Sequence, residues 1–129
     1  GYATLDAATS AASNIAMGKN ALTNATIAVG SIAIGECAMG NVTTGAACDN
    51  IAIGCCALAG VAATAGNDNI AIGRRTARSL TTGADNVAIG NAALSGGVVT
   101  GSCRKQQICP VNASGIKSCR VNTSKSPSF

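Results

Sequence analysis

Asn50-Ile51-Ala52-Ile53-Gly54 decides the fold, because the stretch recurs. Its other copies are Asn14-Ile15-Ala16-Met17-Gly18, Ser31-Ile32-Ala33-Ile34-Gly35, Asn69-Ile70-Ala71-Ile72-Gly73 and Asn86-Val87-Ala88-Ile89-Gly90. Successive copies start 17, 19, 19 and 17 residues apart. A near-fixed period of this length marks a repeat architecture. Within each copy two aliphatic residues flank an alanine and a glycine follows, the pattern of a short strand running into a turn. A second beat comes three or four residues after the glycine, at Ala21-Leu22, Ala38-Met39, Ala57-Leu58 and Ala93-Leu94. The fourth unit breaks it with Arg74-Arg75-Thr76-Ala77. Each unit therefore reads as strand, glycine turn, second short strand and polar loop.

The expected fold is all-β: a parallel β-solenoid (β-roll) of about five short coils with a Cys-containing C-terminal cap. Composition agrees. The only aromatic residues are Tyr2 and Phe129. Each buried aromatic contributes about 150–250 Å² to a core, so this chain must build its interior from small aliphatic residues, which suit a narrow coil. Gly does not recur at every third residue, which excludes collagen, and the 47% hydrophobic content disfavours disorder.

Strand side chains alternate between faces. Size and hydropathy assign the flanking aliphatics to the interior as a core ladder: Ile15 and Met17, Ile32 and Ile34, Ile51 and Ile53, Ile70 and Ile72, Val87 and Ile89. Ala16, Ala33, Ala52, Ala71 and Ala88 then form an outward column, flat enough for other copies of the chain to pack against, and this column is the expected oligomer interface. Thr26-Ile27-Ala28-Val29-Gly30 is itself motif-like and reads either as the return strand of the first coil or as a shift of register there.

Residues 1–13 carry no copy of the motif and read as an entry segment or cap, with a weak helix-start signal at Asp6. Residues 14–100 form the repeat array. Residues 101–129 differ in character, with Cys103, Cys109, Cys119, both prolines, five basic residues and no acid. The array is close to neutral, so the whole net charge of +4 comes from this segment. A basic segment of this kind suits an acidic surface or simple solvation. No aromatic residues interleave with its charges, so nucleic acid is not an expected partner. No stretch of about 18 continuous apolar residues occurs, so no membrane-inserting helix is expected. The sequence opens Gly1-Tyr2-Ala3 without an initiator Met, as expected of a processed chain or of a piece of a longer one.

The chemistry of catalysis is sparse. There is no His, and the five acids Asp6, Glu36, Asp49, Asp68 and Asp85 are scattered, so neither a nucleophile–base pair nor a carboxylate pair is evident. Asp49, Asp68 and Asp85 each precede a motif Asn, and this periodicity points to a turn role. Calcium would need several oxygens per site where each loop supplies about one carboxylate. The seven Cys lack zinc-site spacing. The expected class is non-enzymatic, with no metal and no cofactor. Cys37 and Cys56 each sit two residues after a motif Gly, so stacking would bring them to about 4.8 Å and make them a possible disulfide. Arg74, Arg75 and Arg78 interrupt a near-neutral array and are the candidate contact for an acidic partner. Four N-x-Ser/Thr sequons, at Asn24, Asn41, Asn112 and Asn122, bear weakly on secretion.

The units Asn50 to Leu58 and Asn86 to Leu94, with the loop Thr81-Thr82-Gly83, resemble the repeats of bacteriophage fibres, of the form N-[TIV]-A-[IV]-G-x-x-A-L followed by N-T-T-G. They are also similar to the head repeats of trimeric autotransporter adhesins. The likeness covers about residues 14–97. It implies a β-roll, a side-by-side homotrimer, a place on the virion surface, and a role in host attachment or particle stabilisation as a fibre, spike or capsid decoration. The implied partners are other virion proteins or a host surface polysaccharide. The Cys content, the Arg-rich fourth unit and the C-terminal segment depart from that pattern. A secreted ice-binding β-solenoid, similar to plant antifreeze coils of the form N-x-V-x-G, and a bacterial surface adhesin head are the alternatives.

Overall fold

A computed structural model describes residues 1–7, 9–42, 47–60, 66–78, 80, 83–95 and 106–108. The chain is all-β and every strand pairing is parallel. Strands β1 (Ser10–Ala12) and β3 (Ile27–Val29) form one short wall. The opposite wall is one sheet of β2 (Ile15–Met17), β4 (Ile32–Ile34), β5 (Ile51–Ile53), β6 (Ile70–Ile72), β7 (Val87–Ile89) and β8 (Gln106–Ile108), in that order. Motif copies pair in register, with Ala33 beside Ala52 and Ala52 beside Ala71. This is a β-solenoid whose five motif copies span about four turns. The return-strand reading of Ile27 to Val29 agrees with its pairing to β1.

Three left-handed corners bend each coil. One lies two residues after the motif glycine, at Asn20, Cys37, Cys56, Arg75 and Ala92. The next lies two residues further on, at Leu22, Met39, Leu58, Ala77 and Leu94. The third immediately precedes the motif, at Ser13, Gly30, Asp49, Asp68 and Asp85. Left-handed backbone is costly for residues with a Cβ, so the stack of neighbouring coils must enforce it. The Ala-Leu beat is thus a turn that swings Leu or Met inward, not a second strand. The expected turn role of the three aspartates fits their corner.

The motif glycine has no substitute. Gly35 and Gly54 both have φ of +128°, and a Cβ on Gly54 would lie 2.6 Å from the carbonyl oxygen of Gly73. Close stacking of coils along this line requires hydrogen.

Burial reverses the expected faces of the strand. Ala33, Ala52, Ala71 and Ala88 are fully buried, and Ala16 is half-buried at the end of the sheet. Ile15, Met17, Ile72 and Ile89 are exposed, while Ile32, Ile34, Ile51, Ile53, Ile70 and Val87 are half-buried. The expected core ladder is therefore an outer ladder, and the expected alanine interface lies inside the coil. The reason is width. Leu22, Met39 and Leu58 enter the interior from the turns and are at most 1% exposed. That leaves room for only a methyl group beneath the strand.

The fourth unit keeps the interior filled by moving its large side chain. Leu22 is followed three residues later by Ala25, whereas Ala77 is followed by Leu80, and all four are buried. The same turn hydrogen bond joins each pair, from Ala25 N to Leu22 O at 3.3 Å and from Leu80 N to Ala77 O at 3.1 Å. Large-then-small has become small-then-large at equal volume.

Residues 1–13 are part of the coil. Ala3 and Leu5 take the left-handed corners that Asn20 and Leu22 take one unit later, and the Asp6 region is turn, not helix. At the other end β8 carries the sheet beyond residue 100. The expected cap, including Cys103, Cys109 and Cys119, otherwise lies outside the described residues.

Candidate interaction surface

The motif asparagine builds the frame behind the outer face. Ser31 N donates to Asn14 Oδ1 at 2.8 Å, and Asn50 N donates to Ser31 Oγ at 3.2 Å. Asn69 N donates to Asn50 Oδ1 at 2.9 Å, and Asn86 N donates to Asn69 Oδ1 at 3.0 Å. The Nδ2 groups of Asn69 and Asn86 also donate to the preceding Asn Oδ1, each at 3.0 Å. Each side chain thus pins the next coil at the start of its strand. Asn50, Asn69 and Asn86 are buried, where an unpaired polar group is costly. Two atoms of the ladder have no partner among the described residues: Asn86 Oδ1 at its upper end, and Asn50 Nδ2, because Ser31 precedes it where the later coils place Asn. Sequence reasoning gave a turn role to the aspartates that precede these residues and no separate role to the asparagines. Their recurrence in one register position was the signal for a ladder.

In front of the ladder the sheet presents two aliphatic columns outward. One is Ile15, Ile32, Ile51, Ile70 and Val87, and the other is Met17, Ile34, Ile53, Ile72 and Ile89, matched strand to strand by register. Neighbours within a column are about 4.8 Å apart, so the face is roughly 20 Å long over five strands. Contiguous exposed apolar surface on this scale marks interaction sites.

Charges rim the face on opposite sides. Asp49, Asp68 and Asp85 are exposed just before their strands. Lys19, Glu36 and Arg74 are exposed just after theirs. Asp68 and Arg74 flank the same strand, β6, and so stand at the same height on opposite edges. Arg75 occupies a left-handed corner and Arg78 the turn beyond it, both exposed. All three candidate arginines are therefore exposed within one turn segment of the fourth unit.

A shallow groove of about 270 Å³ runs along the turns, lined among others by Asn20, Cys37, Asn41, Cys56 and Arg78. Cys37, Cys48, Cys55 and Cys56 are free thiols and half-buried. Burial, the hydrogen bond to Cys55 and the nearby Cys55 and Cys37 sulfurs push the Cys56 thiol up, against a smaller lowering by Arg78. Among the described residues no group of three or more Cys, Asp or Glu is placed to hold a metal ion, and no helix is long and apolar enough to cross a membrane. No family model matches the chain, and neither does any curated protein or solved structure.

Proposed function

We propose that the chain is a non-enzymatic structural protein of a virion surface, the coil module of a phage fibre, spike or capsid decoration. It acts in host attachment or particle stabilisation. The outer aliphatic face carries this reading. Ile72 and Ile89 are more than a third exposed on a single chain, and the columns beside them continue the same apolar surface. Three copies packed side by side about a common axis would cover it. Asp68 of one copy would then meet Arg74 of the next at equal height, which favours parallel alignment. The turns bearing Arg75 and Arg78 would face outward, toward a host polysaccharide or a neighbouring virion protein.

Sedimentation equilibrium tests the association. The wild-type chain is expected to sediment as a trimer, and Ile53→Lys with Ile72→Lys to give a folded monomer. A wild-type monomer at micromolar concentration, or a double variant that stays assembled, would overturn the reading. The flat, regularly spaced aliphatic face also favours a second reading, an ice-binding surface. A thermal-hysteresis measurement separates the two, since a face buried in a trimer cannot meet ice.

A further inference from the structure

We propose that Cys37 and Cys56 are a covalent modification site, closing a disulfide across two successive coils when a low-molecular-weight disulfide oxidant reaches the groove. Both residues occupy the left-handed corner two positions after the motif glycine, with φ of 55° and 57°. Cys37 N donates to Lys19 O and Cys56 N donates to Glu36 O, each at 2.9 Å. The repeated bond fixes the two corners at the same register in consecutive coils. Equivalent positions in adjacent parallel strands lie about 4.8 Å apart, within the Cα separation of about 4.4–6.8 Å that a disulfide spans. Because the two backbones share one conformation, their side chains leave the coil side by side, and both line the groove. Among the described residues no group of three metal-ligating side chains includes the pair.

Cys55 is the competitor, with its sulfur 3.6 Å from that of Cys56. A bond between these two would close a small ring containing the peptide unit that joins them. The corner at Cys56 is already fixed by its hydrogen bond to Glu36, so that ring would have to distort a held backbone. Cys48 lies elsewhere, with its N–H on Asn67 Oδ1 at 3.0 Å.

The chemistry balances with the oxidant as electron acceptor. The Cys37 thiolate, beside the Asn20 amide at 4.0 Å, attacks one sulfur of a glutathione-type disulfide. One small thiolate leaves with the bonding pair. The Cys56 thiolate then attacks the Cys37 sulfur of the mixed disulfide and expels the second small thiolate. The two protein thiols lose two electrons, and their two protons pass through solvent to the two leaving thiolates, so the oxidant ends as two thiols.

The test is mapping after treatment of the full chain with oxidised glutathione. Cleavage after Met17 and Met39 and before Asp49 and Asp68 separates Cys37, Cys48 and the Cys55–Cys56 pair onto different peptides. A linked pair of peptides carrying Cys37 and Cys55–Cys56 is expected. It should persist in Cys55→Ser and vanish in Cys56→Ser, with all forms keeping a β-type circular dichroism spectrum. Exclusive Cys55–Cys56 bonding, a link that survives in Cys56→Ser, or a persistent mixed disulfide with no cross-link would each overturn the proposal.

Discussion

Ala52 and Ile53 are neighbours in one three-residue strand and live in opposite environments. Ala52 is fully buried beneath β5, and Ile53 stands half-covered on its outer side. In most two-layer folds the larger apolar side chain would take the inside. Here the inside is a coil so narrow that the interior admits a methyl from the wall and one long side chain from the turn. The outside receives the bulk, and the stacking of identical residues covers only part of it. The lesson is that in a thin solenoid the smallest recurrent residue marks the core and the largest is left on the outer face.

The strongest way to break this comparison is to enlarge each side in turn. Ala52→Leu should cost about 3 kcal/mol or more, because the surrounding atoms belong to coils above and below that cannot retreat. Cooperative melting should be lost or fall steeply at every protein concentration. Ile53→Ala should cost only about 1 kcal/mol on a single chain, from its partial burial. Its melting temperature should instead become more dependent on concentration, since association is what it weakens. Equal losses in thermal melts of the two variants would mean that the strand faces are the other way round.

The period alone made the repeat architecture and the parallel sheet legible, while the motif-like stretch at Ile27 to Val29 left a return strand and a register shift both open. Strand alternation also separated alanine from isoleucine correctly into two faces. It could not say which face was inner, because alternation carries no information about the width of the coil. That information was in the turn. Leu22, Met39 and Leu58 recur on a beat of their own, and once they are placed inside, no volume remains for isoleucine. The groove thiols were legible as a column, because Cys37 and Cys56 share a position after the glycine. The continuity of the N-terminal segment with the coil was hidden, since that unit has no motif strand and shows its place through the corners at Ala3 and Leu5 and the pairing of β1 with β3.

A smaller effect sharpens the account of the interior. If Ala77 and Leu80 fill the same space as Leu22 and Ala25, the two positions in the fourth unit must be coupled. Leu80→Ala alone should cost about 2 kcal/mol for the cavity it leaves. Adding Ala77→Leu should return most of that loss, leaving the double variant within about 1 kcal/mol of wild type. Denaturant unfolding of the two single variants and the double would give the coupling directly. Additive costs would show that the two side chains fill separate spaces.

The smallest effect concerns the frame that keeps the two faces apart, and it is a gain. The asparagine ladder runs without interruption from Asn50 through Asn69 to Asn86, with backbone and side-chain N–H groups both donating to the preceding Oδ1. Below Asn50 the partner is Ser31, whose hydroxyl accepts the backbone N–H of Asn50 and itself donates to Ala47 O at 3.0 Å. One hydroxyl oxygen does not also serve Asn50 Nδ2, which stays buried and unpartnered among the described residues. Ser31→Asn places an amide oxygen at the height where Asn50 and Asn69 carry theirs, and it can accept both donors of Asn50. Its own Nδ2 can replace the serine hydroxyl as donor to Ala47 O. Relief of one buried unsatisfied amide is worth about 1 kcal/mol net of the ordering of a longer side chain. The melting temperature should therefore rise by a few degrees. Asn69→Ser in the same protein should lower it, by recreating the Ser31 defect one coil higher. If Ser31→Asn is neutral while Asn69→Ser is costly, the ladder stabilises only above Asn50.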